Sequence, residues 1–270
     1  MTQSTILIPL AGEGKRFTDQ GYQTPKPLIS VAGLPMIIQA ARSLPKANKY
    51  VFVCRKEHLE SSNLLQTLTD EFPESEILPI DYLTEGQAST CLLAELLVDQ
   101  NHTLTIGACD NGMIYSKEQF NLAWDQSDLD AVIWTFRNNP TVLDRAHMYG
   151  WIETEGSKAL KVSCKKGISS TPLNDHAIIG SFTFRKAKDF FGCAHELIKQ
   201  DRRINGEFYV DEVMNIAIES GLKVGVFEVD QYICWGTPDD LRTYEYWEGF
   251  FDTCDWHPYT KSADILRSGR

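Results

Sequence analysis

Two glycines followed at once by two cations, Gly12-Glu13-Gly14-Lys15-Arg16, stand just after the first apolar run of the chain. Glycine lets a backbone approach a ligand closely and adjacent cations suit a phosphate, so the composition is that of a phosphate cradle. It is not a dinucleotide fingerprint, because Phe17 stands where the third glycine should be. It is not a Walker loop either, because Arg16 follows Gly14-Lys15 in place of Ser or Thr. A plain strand-to-helix turn would favour the same glycines. Shortly afterwards Thr24-Pro25-Lys26-Pro27-Leu28-Ile29 fixes a lysine between two prolines. The prolines restrict the backbone on either side, and a positioned ammonium can neutralise charge on a transferring phosphoryl group. A solvated lysine in a Pro-rich turn is the plainer alternative. The third group is Asp110, in Cys109-Asp110-Asn111 after the apolar run Thr103 to Ala108. Ligands of open α/β sheets sit beyond the carboxyl ends of strands, where Asp110 falls; an Asx turn or cap closing the strand is the alternative.

Read in order, Leu10-Ala11-Gly12-x-Gly14-x-Arg16-Phe17, Pro25-Lys26-Pro27-Leu28 and Val31-x-Gly33-x-Pro35-Met36 resemble the opening signature of the sugar-phosphate nucleotidyltransferase family. Thr84-Glu85-Gly86-Gln87-Ala88 is similar to that family's turn under the base, Cys109-Asp110-Asn111 to its metal-binding Asp, and Trp235-Gly236-Thr237-Pro238-Asp239-Asp240-Leu241 to its closing Gly-Thr-Pro segment. The resemblance implies a single-domain α/β fold of the nucleotide-diphospho-sugar transferase type, Rossmann-like, with a mixed, mostly parallel central sheet flanked by helices. It also implies that Leu10, Ala11, Gly12, Gly14, Lys15 and Arg16 hold the triphosphate, and that Gly86 and Gln87 lie against the base. Arg16 and Lys26 would stabilise the charge that develops at the α-phosphorus, and Asp110 would bind Mg²⁺.

Two departures from the family pattern follow. Cys234 stands two residues before Gly236, where the family supplies a second metal carboxylate, so that role passes to Asp211, Asp230 or Asp239, with Asp211 taken as the metal ligand. The family's Glu-Lys-Pro acceptor motif is reduced to Cys164-Lys165-Lys166, which leaves Lys165 either an acceptor-phosphate ligand or a solvated loop lysine. Glu207, in Asn205-Gly206-Glu207-Phe208-Tyr209, resembles the acceptor-binding strand end; ordinary helix-start chemistry explains it equally.

These residues need elements to carry them. The first half alternates short apolar runs with helical patterns, as a parallel sheet with crossover helices does. Strands are expected at Ile6 to Leu10, Tyr50 to Cys54, Ile77 to Tyr82 and Thr103 to Ala108, with helices over Met36 to Leu44, His58 to Phe72 and Ala88 to Val98. Beyond them Ala131 to Phe136, Tyr149 to Thr154, Ala177 to Phe184 and Val224 to Val229 read as strands, and Ser163 to Asn174 as a loop. Asp189 to Lys199, Asp211 to Ser220 and Pro238 to Phe251 read as helices. One domain over 1–255 with a frayed tail over 256–270 is expected, and Trp247, Phe250 and Phe251 leave room for a homo-oligomer or for packing on the chain's own core.

The 26 basic against 37 acidic side chains give a formal charge of -11, which argues against a surface for nucleic acid or anionic lipid. Anionic substrates then need local cations. Seven cysteines without a Cys-x-x-Cys pair suit small buried residues of a reducing compartment. The start of the chain lacks a basic region, and no run approaches the roughly 18 apolar residues of a membrane span, so a cytoplasmic protein is expected. The reaction implied is transfer of NMP from an NTP to a phosphorylated small-molecule acceptor, a sugar 1-phosphate before others, with release of pyrophosphate. CTP is slightly preferred, and the product would be an activated precursor of surface polysaccharide. A nucleotide-sugar-dependent glycosyltransferase and a non-catalytic nucleotide sensor are the rival readings.

Overall fold

Alternate residues of a strand face opposite sides of its sheet, so a strand that is apolar throughout needs cover on both faces. The first strand, β1 (Ser4–Leu10), meets this condition: Leu7 joins one core and Ile6, Ile8 and Leu10 join another. The computed structural model describes residues 3–254, 256 and 257. After β1 come β2 (Ser30–Val31), β3 (Leu34–Pro35), β4 (Lys49–Arg55), β5 (Glu76–Ile80), β6 (Thr103–Ile106) and β7 (Asn111–Ile114). The second half contributes β8 (Ala131–Phe136), β9 (Gly150–Glu155), β10 (Lys158–Cys164), β11 (His176–Phe184), β12 (Val224–Glu228) and β13 (Gln231–Cys234).

Nine of these strands form one sheet in the order β5-β4-β1-β6-β11-β8-β12-β10-β9. The first four are mutually parallel. From β11 onward the sheet is mixed, with β11 antiparallel to β6 and β8, β12 parallel to β8, and β10 antiparallel to β9 and β12. This is the mixed α/β sheet that the sequence implied, parallel through the N-terminal crossover units and again where β12 pairs with β8. One face is covered by helices Gln87–Leu92, Ala187–Lys199 and Val210–Glu219, which bury Phe190, Phe191, Val213 and Met214. The other is covered by Met36–Ser43, Leu64–Glu71 and Lys117–Gln126, which bury Ile37, Leu68, Phe120 and Trp124. No helix among the described residues is long and apolar enough to cross a membrane.

Several elements differ from expectation, each for a local reason. The helix expected from His58 to Phe72 is two, Lys56–Ser61 and Leu64–Glu71. Ser61 and Ser62 donate to the Glu57 and His58 carbonyls and the Leu64 amide donates to the Ser62 hydroxyl, so side chains satisfy the backbone that a continuous helix would use. The helix from Ala88 starts at Gln87 and passes into a 3₁₀ turn, Glu95–Leu97. The segment read as a loop from Ser163 begins inside β10, which pairs with β9 through a turn at Gly156 (φ 58°). Its Lys158-Ala-Leu-Lys-Val pattern is too polar to signal a strand because it lies near the sheet edge. Two small ribbons, β2 with β3 and β7 with β13, were also illegible as short runs. Trp124, Trp134, Trp151 and Trp235 are all core residues. Trp247 is half exposed and contacts Phe250 and Phe251, and the expected tail falls outside the described residues except at Trp256 and His257.

Helix Val210–Glu219 is stapled to β10 by Asn215, whose amide oxygen accepts from the Val162 N–H at 2.8 Å and whose amide nitrogen donates to the Val162 carbonyl at 2.9 Å. Truncation leaves both backbone groups buried without partners. Asn215→Ala is expected to lower stability by about 2–4 kcal/mol, measured by urea unfolding.

Candidate active site

Because β1 and β6 are adjacent and parallel, their carboxyl ends lie side by side, and so do the loop 11–14 and the segment 107–110 that leave them. The sharp exit from β1 requires Gly14 in the left-handed region (φ 65°), and a Cβ there would stand 3.1 Å from the Lys26 Cβ. The Gly-containing loop and the Pro-Lys-Pro element therefore pack directly on each other. Gly12 has open space where a side chain would be, which leaves its backbone accessible. Lys15 and Arg16 are exposed at the start of the short helix Lys15–Thr18, while Leu10 and Ala11 are buried beneath it.

Lys26 Nζ lies 2.6 Å from Asp110 Oδ2, with a 3.5 Å approach to the Gly236 carbonyl and the Phe17 ring 5.6 Å beneath. Burial penalises both charges, yet the pair outweighs it: the Lys26 ammonium is held above its usual range by Asp110, and the Asp110 carboxyl is held below its usual range by Lys26 and then Arg16. Three groups singled out by spacing alone are thus brought to one place, two cations around one ionised carboxylate. The strand after Asp110, β7, pairs with β13 so that Asn111 faces Cys234, and the Trp235 N–H donates to the Asp110 carbonyl at 2.9 Å. Gly236 packs closely there, since a Cβ would come within 3.2 Å of the Asp110 carboxylate.

At the position where a second carboxylate was sought, the Cys234 thiol is pushed up to about 12 by burial and then by Asp240, and it contacts Asp240 Oδ2 at 3.5 Å. Asp240 was not among the sequence candidates. The signal was the capping box Thr237-Pro238-Asp239-Asp240: Thr237 Oγ1 donates to Asp240 Oδ2 at 2.6 Å and accepts from the Asp240 N–H at 3.2 Å. Arg145 occupies the other Asp240 oxygen at 3.0 Å. Asp239 is exposed and pairs with Arg242, and Asp230 is exposed.

The turn expected under the base is built as a rigid unit. Gly86 (φ 125°) caps helix Gln87–Leu92, and a Cβ on it would meet the Phe208 N and O atoms at 2.6 Å. The Phe208 N–H donates to the Glu85 carbonyl at 2.7 Å, and the Ala88 N–H to the Phe208 carbonyl at 3.0 Å. Segments 84–88 and 205–209, matched separately in the sequence, are therefore one structure. Glu207 and Lys165 both neighbour Tyr209: Lys165 Nζ lies 5.3 Å from its ring, and burial and then the Glu207 charge push its hydroxyl up to about 12.

Asp211 sits in this second cluster. Its charged neighbours are Lys165 and Glu212, whereas those of Asp110 are Lys26 and Arg16. Among the described residues no three His, Cys, Asp or Glu side chains converge as a protein-only metal site. Mg²⁺ is usually held by one or two carboxylates completed by substrate phosphates and water, and an ionised Asp110 fits that donor set.

Burial, with Glu212 adding to it and Lys165 opposing, pushes Asp211 up to about 6. Its folded pKa is raised above the unfolded value, so ionised Asp211 destabilises the fold above about pH 6, and the penalty is relieved as the pH falls toward 4. Asp211→Asn is expected to be more stable than wild type by roughly 2–3 kcal/mol at pH 7.5, with the difference vanishing by about pH 4 in paired thermal melts.

No family model and no curated protein sequence matches the chain. Solved structures do. The nucleoside-diphosphate-sugar pyrophosphorylase of Vibrio cholerae RC9 superposes with a TM-score of 0.71 at 21% identity, over 88% of this chain and 98% of that one. The inositol-1-phosphate CTP transferase of T. maritima gives 0.71 at 15% identity, over 94% and 98%. The UDP-glucose pyrophosphorylase of Acinetobacter baumannii gives 0.68 at 14% identity, over 97% and 96%. The chain thus has, over nearly its whole length, the fold shared by these nucleotide-sugar pyrophosphorylases and sugar-phosphate nucleotidyltransferases.

Proposed function

We propose that the protein is a nucleotidyltransferase that transfers NMP from an NTP to a phosphorylated small molecule and releases pyrophosphate. The observation that carries this reading is the Lys26–Asp110 pair with Arg16 beside it, at the carboxyl ends of β1 and β6. A phosphate oxygen of the acceptor forms a bond to the α-phosphorus as the bond from that phosphorus to the bridging oxygen of pyrophosphate breaks. The attacking phosphate is already largely a dianion near neutral pH, so no protein base or nucleophile is needed. What the chain supplies is position and counter-charge.

Gly12, Gly14 and the backbone of Leu10 and Ala11 cradle the triphosphate, with Lys15 and Arg16 at its rim. Arg16 and Lys26 offset the charge that builds on the α-phosphoryl oxygens. Gly86 and Gln87 border the base. Lys165 and Glu207 meet the acceptor, Lys165 at its phosphate and Glu207 at hydroxyl groups. Mg²⁺ would be held by Asp110 and supply further charge neutralisation on the phosphates. A sugar 1-phosphate is the favoured acceptor, and the loss of carboxylates at Cys164 and Cys234 widens the range to polyol or other phosphomonoesters. CTP is the preferred nucleotide, in keeping with the T. maritima structure. A cytoplasmic role in supplying activated precursors for surface polysaccharide agrees with this chemistry.

The test is a panel of the four NTPs and dTTP against glucose 1-phosphate, inositol 1-phosphate and phosphocholine, scored by pyrophosphate release. Pyrophosphate formed with a Mg²⁺-requiring NTP and one acceptor is expected; release of nucleoside diphosphate from a nucleotide-sugar instead would identify a glycosyltransferase. Lys26→Ala and Asp110→Ala are each expected to lower kcat by about 10²–10⁴-fold with cooperative unfolding retained by circular dichroism. Wild-type rates in either variant would refute the assignment.

A further inference from the structure

Asp211, Glu212 and Asn215 are each less than a tenth exposed, on one helix and away from the Arg16–Lys26–Asp110 cluster. A buried polar group is costly unless it is answered. Arg202 answers Glu212 at 3.0 Å, and the Val162 backbone answers Asn215. Asp211 is answered differently. Its Oδ2 occupies the space of a missing side chain at Gly150, where a Cβ would stand 2.1 Å away, so β9 carries glycine to admit the carboxylate. Cys164, at the end of β10, pairs in register with Gly150 and its thiol is coupled electrostatically to Asp211, and the cation coupled to Asp211 is the next residue, Lys165.

Lys165 is fixed from several sides. Its backbone is in the left-handed region (φ 59°), a conformation that costs a non-glycine residue about 1 kcal/mol or more and persists only where the surroundings enforce it. Its N–H donates to the Tyr149 carbonyl at 3.1 Å, its ammonium donates to the Met148 carbonyl, and the Tyr209 ring lies against it. The Met148 and Tyr149 carbonyls immediately precede Gly150, the residue that Asp211 abuts. Asp211 thus abuts Gly150 directly, and Lys165 is held by the two carbonyls that precede Gly150.

We infer that Asp211 is a positioning residue for the acceptor: its carboxylate locks Lys165 and the Met148–Gly150 backbone in the arrangement that presents the Lys165 ammonium to the acceptor phosphate. The inference rests on the nucleotidyltransferase reading and reassigns Asp211 from the metal to Lys165. Asp211 itself touches neither substrate.

Two measurements test it, and the first needs no turnover. Folded wild type and Asp211→Asn are labelled with limiting acetic anhydride and quantified by mass spectrometry. Lys165 should acetylate at least fivefold faster in the variant, with Lys26 unchanged; equal Lys165 rates overturn the proposal even if the enzyme proves active. The second uses whichever of glucose 1-phosphate, inositol 1-phosphate and phosphocholine turns over. Asp211→Asn should raise KM for that acceptor about tenfold while KM for the nucleotide and the Mg²⁺ concentration for half-maximal rate stay within twofold. Lys165→Met should do the same, and the double variant should be no worse than Lys165→Met alone, because both changes remove one interaction. Additive losses, or a shift in the Mg²⁺ requirement of Asp211→Asn, would overturn the proposal. If no acceptor turns over but Lys165 is released, the catalytic reading fails while the structural coupling stands.

Discussion

The ion pair between Lys26 and Asp110 organises the site, because it joins three stretches of chain that are otherwise far apart in sequence. Asp110 is carried by the parallel sheet, Lys26 by a Pro-flanked turn, and Gly236, whose carbonyl lies near the ammonium, by the loop closing the C-terminal ribbon. In a chain of net charge -11, the phosphate site proposed above cannot rely on the overall field. Local cations have to be held, and holding them near the interior requires a carboxylate to offset their desolvation. The opposite shifts of Lys26 and Asp110 express that balance, each charge making the other tolerable where burial alone would disfavour both.

The glycines around the cleft are requirements of close packing as much as of ligand approach. Gly14 is pressed on Lys26, Gly86 on the Phe208 backbone, Gly150 on Asp211 and Gly236 on Asp110. Each marks a place where one candidate segment lies directly on another, so the segments at 12–16, 84–88 and 205–211 are held in place by their neighbours. The aromatic rings contribute to the same end: Phe17 lies under Lys26 and Tyr209 neighbours both Lys165 and Glu207.

The two cysteines at positions where the family pattern has acids also find a physical account. Cys234 and Cys164 are both thiols held protonated by burial; Cys234 contacts Asp240, and Cys164 is coupled electrostatically to Asp211. Asp240 is engaged with Arg145 and Thr237, and Asp211 is coupled to Lys165.

Sequence by itself determined the elements whose patterns are strong and local. The continuous apolar runs of β1, β4 and β6 had to be central strands, and the amphipathic runs at Met36–Ser43 and Ala187–Lys199 had to be helices covering them. Gly14, Lys26 and Asp110 were visible as candidates because the three short motifs occur in one order along the chain, whereas each motif by itself is equally met by a plain turn, a solvated lysine or an Asx cap. Tertiary structure alone decided what depends on distance between remote segments. The register of β7 on β13 put Cys234 against Asn111 and brought Asp240 to its thiol, and the packing of helix Val210–Glu219 on β10 took Asp211 to Lys165. Periodicity reports which face of an element is buried, whereas the partner of a buried carboxylate is fixed by how two elements meet, and no residue within either element encodes that meeting alone.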